Sequence, residues 1–140
     1  MKYTSLAFIS LFLSGCATSP VTVSESQKVS SDRLLPGYST LAQASPDRAK
    51  VVVIRDAGIL GSGLPARLSV DGAPVARLWP SNRVEFYVTS GDHILSVRPE
   101  PQLGGALTEN SFHFTLGRTY YFRISISENS LRIQPSTQLE

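Results

Sequence analysis

From Lys50 to Gln134 apolar and polar residues alternate in short runs, separated by Gly, Pro, Asn and Asp at intervals of about ten residues. The runs are 50–55 (KVVVIR), 66–71 (ARLSVD), 74–79 (PVARLW), 83–88 (RVEFYV), 93–98 (HILSVR), 111–116 (SFHFTL), 119–127 (TYYFRISIS) and 131–134 (LRIQ). A period of two places Val84, Phe86 and Val88 on one face, with Phe112, Phe114, Leu116, Tyr120, Phe122, Ile124 and Ile126 on the same side of their own strands. Arg83, Glu85, His113, Arg123 and Ser125 fall on the opposite face. Asp71-Gly72, Gly91-Asp92, Gly117-Arg118 and Glu128-Asn129 are tight-turn material between runs. A sheet with one apolar face needs a second layer, so the pattern predicts an all-β chain: an antiparallel β-sandwich of about seven to eight short strands.

The first sixteen residues follow another pattern. Lys2 is basic, 6–13 (LAFISLFL) is apolar, and Ser14-Gly15 is small, which is the order of a secretory signal peptide. As a helix, residues 3–15 would span about 20 Å, too short for a hydrocarbon layer of roughly 30 Å. Leu13-Ser14-Gly15-Cys16 resembles the lipobox of bacterial lipoproteins. The resemblance implies that the Cys16 thiol is alkylated by a diacylglyceryl group, that the chain is cut before it, and that the new amino group is acylated. Two or three acyl chains hold a protein firmly to a bilayer, whereas one does so marginally. Ala17 stands where an aspartate would favour retention at the inner membrane. For a Gram-negative host, the same resemblance therefore implies the periplasmic face of the outer membrane.

Removal of residues 1–15 from the 140 leaves 125, the length of one domain with a tail. Cys16 is the single cysteine, so no intramolecular disulfide supports the fold. The formal charge of +2 falls to +1 with the loss of Lys2, which excludes a nucleic-acid footprint. Ser and Thr supply ten of the 31 positions over 17–47, and Pro20, Pro36 and Pro46 interrupt them. That composition predicts a flexible tether over 16–47 with a relaxed reach of roughly 30 Å. Within it, Leu34-Leu35-Pro36-Gly37-Tyr38 is apolar enough to dock on the domain or on a partner. The predicted division is a signal peptide (1–15), the lipidated cysteine and tether (16–47), the β-domain (48–136) and a short tail (137–140).

The string VVVIRDAGILGSGLPARLSVDGAPVARL, followed by VTSGDHILSV and RTYYFRISI, resembles a family of bacterial lipoproteins of unknown function. Members carry a Val-rich strand ending in Arg, a Gly-Ser-Gly loop, a V-D-G hairpin and a final strand rich in tyrosine. The middle portion also resembles PEGA-type domains, small β-sandwiches of the cell envelope. The resemblance covers about residues 49–127 and implies architecture and location rather than an activity.

Candidate chemistry is sparse. Gly61-Ser62-Gly63-Leu64-Pro65-Ala66, with Glu85 downstream, formally fits a dinucleotide fingerprint. That motif requires a helix to begin at once, whereas 66–71 alternates as a strand, so the segment reads as a hairpin connection. His93 falls in phase with Leu95 and Val97, which predicts an inward imidazole whose nitrogens bond backbone groups at the turn. No metal-ligand spacing, cofactor motif or catalytic triad pattern occurs, and the chain reads as a non-enzyme. Tyr87, His113, Tyr121, Arg123 and Arg132 project outward and form a candidate interaction face of the kind used at protein and sugar interfaces. Pairing through an exposed edge strand is a second route to a partner. The expected function is a membrane-anchored, non-catalytic binding or scaffolding module that meets an envelope protein or a cell-wall component. The alternative is an envelope carbohydrate-binding protein or enzyme using the Tyr and Arg face.

Overall fold

The computed structural model describes residues 18–59, 62–101, 105–127 and 130–137. The signal peptide 1–15, Cys16, Gly61, the turn Glu128-Asn129 and the end of the tail lie outside the described residues. Among those described, the strands are β1 (Gln27–Lys28), β2 (Arg48–Arg55), β3 (Ala66–Val70), β4 (Ala73–Leu78), β5 (Asn82–Thr89), β6 (Gly91–Pro99), β7 (Thr108–Phe114), β8 (Thr119–Ser127) and β9 (Ser130–Pro135). All eight runs read from the alternation are strands, and β1 is added from the segment expected to be a tether.

The strands make an all-β body of two sheets packed together, ordered β1-β5-β2-β8-β9 and β4-β3-β6-β7. The β3–β4 hairpin turns on Asp71 and Gly72, at φ 49° and 80°. Positive φ at both positions is what a two-residue turn of matching twist demands, and Asp-Gly meets it at little strain. Between the sheets lie Phe86, Phe114, Phe122, Leu68, Leu78, Leu95, Ile124, Val51, Val53 and Val75, all fully buried. Each large apolar side chain so buried contributes roughly 1.5–3 kcal/mol. Phe112 is half-buried and meets Phe122 edge-on, with ring centroids 4.7 Å apart. Leu116, expected to point inward, is exposed because β7 ends at Phe114 and the leucine lies in the following turn.

Two expectations are corrected. The pairing is not antiparallel throughout: β2 runs parallel to β8, with Val51 opposite Tyr120 and Val53 opposite Phe122, and β1 runs parallel to β5. Alternation reports which face a residue occupies and carries no information about strand direction. The second correction concerns the tether. Residues 18–47 lie against the body as a strap, with Val21 and Val29 buried. Val29 N–H donates to Arg83 O at 2.8 Å in one sheet, and Leu35 N–H donates to Val75 O at 2.8 Å in the other. Leu34, Tyr38 and Leu41 pack on the main core, so the apolar cluster at 34–38 docks on the domain itself. The strap thus closes the side where β5 and β4 would otherwise leave the core open to water.

The far side is closed differently. The edge strands β7 and β9 are linked by side chains, Thr108 Oγ1 donating to Leu131 O at 2.7 Å and Asn110 Nδ2 to Ile133 O at 3.4 Å. The pairing registers also define two ends. Strands β2, β4, β6 and β8 finish at the end where Thr18 sits, and β3, β5, β7 and β9 begin there. The Asp71-Gly72 turn and the turn holding Leu116 lie at the opposite end.

Candidate functional site

In β2 the run Val51-Val52-Val53-Ile54 is buried on both faces, unlike the alternating strands around it. Val51 and Val53 face the other sheet, while Val52 and Ile54 face outward under Val21, with Val23, Ala57 and Tyr121 packed around them. A continuous apolar run is what a strand covered on both sides requires. The strap supplies the second cover, and the outer face of the five-stranded sheet is left partly apolar and partly charged.

The charged groups on this face hold one another and the strap. Lys50 Nζ lies 3.0 Å from Glu85 Oε2, and Arg83 Nε donates to Glu85 Oε1 at 3.2 Å. Burial alone would raise the Glu85 carboxyl, but hydrogen bonds from Lys50 and Arg83 outweigh it and keep the group below its ordinary value. The same hydrogen bond to Glu85 raises Lys50. Arg83 Nη1 reaches past the sheet to Ser26 O at 2.9 Å and Val23 O at 3.3 Å, clamping the strap. Two strands along, on β8, Arg123 forms a bidentate pair with the buried Asp56, Nε donating to Oδ1 at 3.1 Å and Nη2 to Oδ2. Thr18 Oγ1 donates to the same Oδ2 at 2.9 Å and accepts from Ile126 N–H at 3.0 Å. Arg55 is buried, and Nη1 donates to Leu64 O and Leu78 O, both at 2.7 Å. Loss of hydration pushes its guanidinium down to about 10, so it keeps its charge at neutral pH and ties the end of β2 to the second sheet.

Beside these pairs an open groove of about 700 Å³ runs over β8 and β9, lined by Thr119, Tyr121, Arg123, Gln134, Pro135 and Ser136 among others. Its floor is set by β8–β9 pairing, with Gln134 opposite Arg123 and Ser136 N–H donating to Tyr121 O at 2.9 Å. The tyrosine rests on the Val21, Val52 and Ile54 cluster and offers the rest of its ring to the groove.

The five residues of the expected interaction face do not converge. Tyr87, Tyr121, Arg123 and Arg132 share the outer face of the five-stranded sheet, with Tyr87 across Lys50 from Thr119 and Arg132 across from Ser125. Only Tyr121 and Arg123 line the groove, and the Arg123 guanidinium is committed to Asp56. Arg132 is exposed on the edge strand. His113 belongs to β7 of the other sheet, where its exposed ring places Nδ1 2.8 Å from Asp92 Oδ1. His93 is turned inward beside Phe114, at 5.8 Å between ring centroids. One nitrogen meets the Thr89 backbone carbonyl at 3.0 Å, as expected, but the other meets the Asp71 carboxylate at 2.6 Å rather than a backbone group. Asp71 can serve there because its turn position aims Oδ1 at Ile94 N–H, 2.9 Å away, leaving Oδ2 for the imidazole.

Asp56 and Thr18 are structural residues that sequence reasoning passed over, and Arg83 was read only as a polar-face residue. Asp56 carried a signal: an acid directly after a strand of buried valines needs a buried partner. The Gly-Ser-Gly stretch precedes β3 rather than a helix, so the geometry of a dinucleotide site is not formed at Ala66. Among the described residues, no group of three or more His, Cys, Asp or Glu side chains is placed to hold a metal ion. In comparison with known proteins, the chain matches no family model and no curated sequence.

Proposed function

We propose that this chain is a lipid-anchored protein of the bacterial cell envelope whose body, a β-sandwich, is a non-catalytic binding or scaffolding module. Acyl groups on Cys16 attach it to the periplasmic face of the outer membrane, and the β8–β9 groove receives an envelope protein or a cell-wall component. The observation that carries the binding role is the groove itself, about 700 Å³ in volume, with Tyr121 half-seated in an apolar cluster at its floor. An aromatic ring supported from below loses little conformational freedom when a partner covers it. The lipobox resemblance at 13–16 and the lipoprotein-family resemblance over about 49–127, whose middle portion is PEGA-like, support the anchor and the sandwich. The groove also suits a carbohydrate, because Gln134 and Ser136 set polar groups beside the Tyr121 ring.

A photo-crosslinking residue in place of Tyr121, introduced into the full chain in living cells, is the direct test. Adducts to one envelope protein or to cell-wall fragments are expected, and the species recovered separates the protein partner from the glycan. Absence of any adduct at 121, together with a normal yield of acylated protein, overturns the role of the groove. Intact-mass measurement showing an unmodified Cys16 thiol overturns the anchor.

A further inference from the structure

Sequence composition suggests a body free to swing on thirty residues, but the strap is already tied down at Thr18. Thr18 is bonded through its hydroxyl to Asp56 and Ile126, and Ser19 pairs with Ala57 through two backbone hydrogen bonds of 2.8 and 2.9 Å. Only two peptide links separate Thr18 from Cys16, a span of about 7 Å at most. Whatever holds Cys16 therefore holds this end of the body within one side-chain layer of itself.

The same end carries apolar side chains that the core does not use. Ile59 is 93% exposed, one residue from Gly58, where a Cβ would sit 3.2 Å from the Thr18 methyl group. Leu107 is 49% exposed and immediately precedes Thr108, whose hydroxyl is bonded to Leu131 beside the end of β8. Trp79, at the finish of β4, is half-buried and carries the Arg33 guanidinium 5.8 Å from its ring, a ring-and-cation pairing suited to the boundary between lipid and water. A fully exposed isoleucine on a single-domain surface needs no partner by itself. Ile59, Trp79 and Leu107 at the end nearest Cys16 form a different case, because acyl groups at Cys16 bring that end against hydrocarbon.

We infer that the Thr18 end of the body is a lipid-contacting surface, with Ile59 and Leu107 entering the boundary between headgroups and acyl chains. The occupant is the bilayer that holds Cys16. This rests on the proposed acylation of Cys16 and adds to it a fixed orientation: the β-strands stand away from the membrane, and the Asp71-Gly72 turn and Leu116 lie at the far end.

The multiple acyl chains would mask any change in overall membrane affinity, so the test reads depth. The full chain is produced with Ile59→Cys, Leu107→Cys or Leu116→Cys, labelled at the new thiol with an environment-sensitive fluorophore, and placed in phosphatidylethanolamine–phosphatidylglycerol vesicles containing a lipid-borne quencher. Intact mass reports acylation of Cys16 in each sample. Leu116 is the control because it is also an exposed apolar residue, 44% accessible, at the opposite end. Quenching several-fold stronger at 59 and 107 than at 116 is the expected result. Equal quenching at the three positions in acylated protein overturns the orientation while leaving the anchor standing. A free Cys16 thiol in the membrane-extracted protein removes the anchor and the inference with it.

Discussion

Arg123 holds Asp56 in a bidentate ion pair where the aspartate is only 2% exposed, and Thr18 bonds the same carboxylate from the strap. Removing Arg123 strands the Asp56 carboxylate in a place water cannot reach, whereas removing Asp56 leaves the Arg123 guanidinium beside the open groove. Arg123→Ala is expected to cost about 3–5 kcal/mol in unfolding free energy, and Asp56→Ala less. The double variant should lose clearly less than the sum of the two, as measured by chemical denaturation. Full additivity would show that the two groups are not coupled.

Gly37 fixes how closely the strap approaches β4. A Cβ at that position would lie 2.6 Å from Pro74 O, a backbone atom with no rotamer to relieve the clash. Gly37→Ala should destabilise the protein by roughly 1–3 kcal/mol and speed exchange of the Leu35 amide. At Gly63 an added Cβ meets nothing within 4 Å. Gly63→Ala should therefore shift stability by no more than about 0.5 kcal/mol.

Acid should weaken the body through carboxylates that the fold holds in their charged form. The hydrogen bonds from Arg77, with Nε at 2.9 Å, keep Glu100 below its ordinary value. For Glu85 and Asp71, burial works in the opposite direction but is outweighed, by Lys50 and Arg83 in one case and by His93 and Ile94 N–H in the other. A carboxyl with a lowered native value adds stability that is complete above its unfolded value, near about 4, and is lost as pH falls through the native one. Urea midpoints should hold steady from pH 7 to about 5 and fall below about pH 4. Glu100→Gln should flatten that fall at a cost under about 1 kcal/mol at neutral pH.

At the groove, Tyr121→Ala removes the ring that a partner would cover and should weaken binding about tenfold or more. Arg132→Ala, on the same face but outside the groove, and His113→Ala, on the other sheet, should leave the affinity within about twofold. Co-purification of the bound component from cells expressing each full-length variant reads the difference. An equal loss from His113→Ala would move the site to the other sheet.

The strands were legible because period-two alternation is a local property, and β5, with Val84, Phe86 and Val88 inward, shows it cleanly. Direction was not: the pairing of β2 with β8 joins residues some seventy positions apart, and each strand looks the same whichever way its neighbour runs. The strap was illegible for a related reason. Val21, Val29, Leu34, Tyr38 and Leu41 reach the body one at a time with no common period, and the Ser, Thr and Pro between them imitate a free coil. The unbroken Val51–Ile54 run did carry a trace of it, since apolar residues on the outer face need a cover. At the groove, Tyr121 and Arg123 could be named from alternation, whereas the attachment of Arg123 to Asp56 depends on a contact made across 67 residues.

Since the strap is bonded to the body at Thr18 and closes the core with Val29, tension applied on the amino side of Thr18 is transmitted into the hydrophobic interior. Stripping away residues 18–47 would release a leash of up to roughly 100 Å at full extension. It would also uncover the flanks of β5 and β4, so the body can gain range only by giving up part of its own stability.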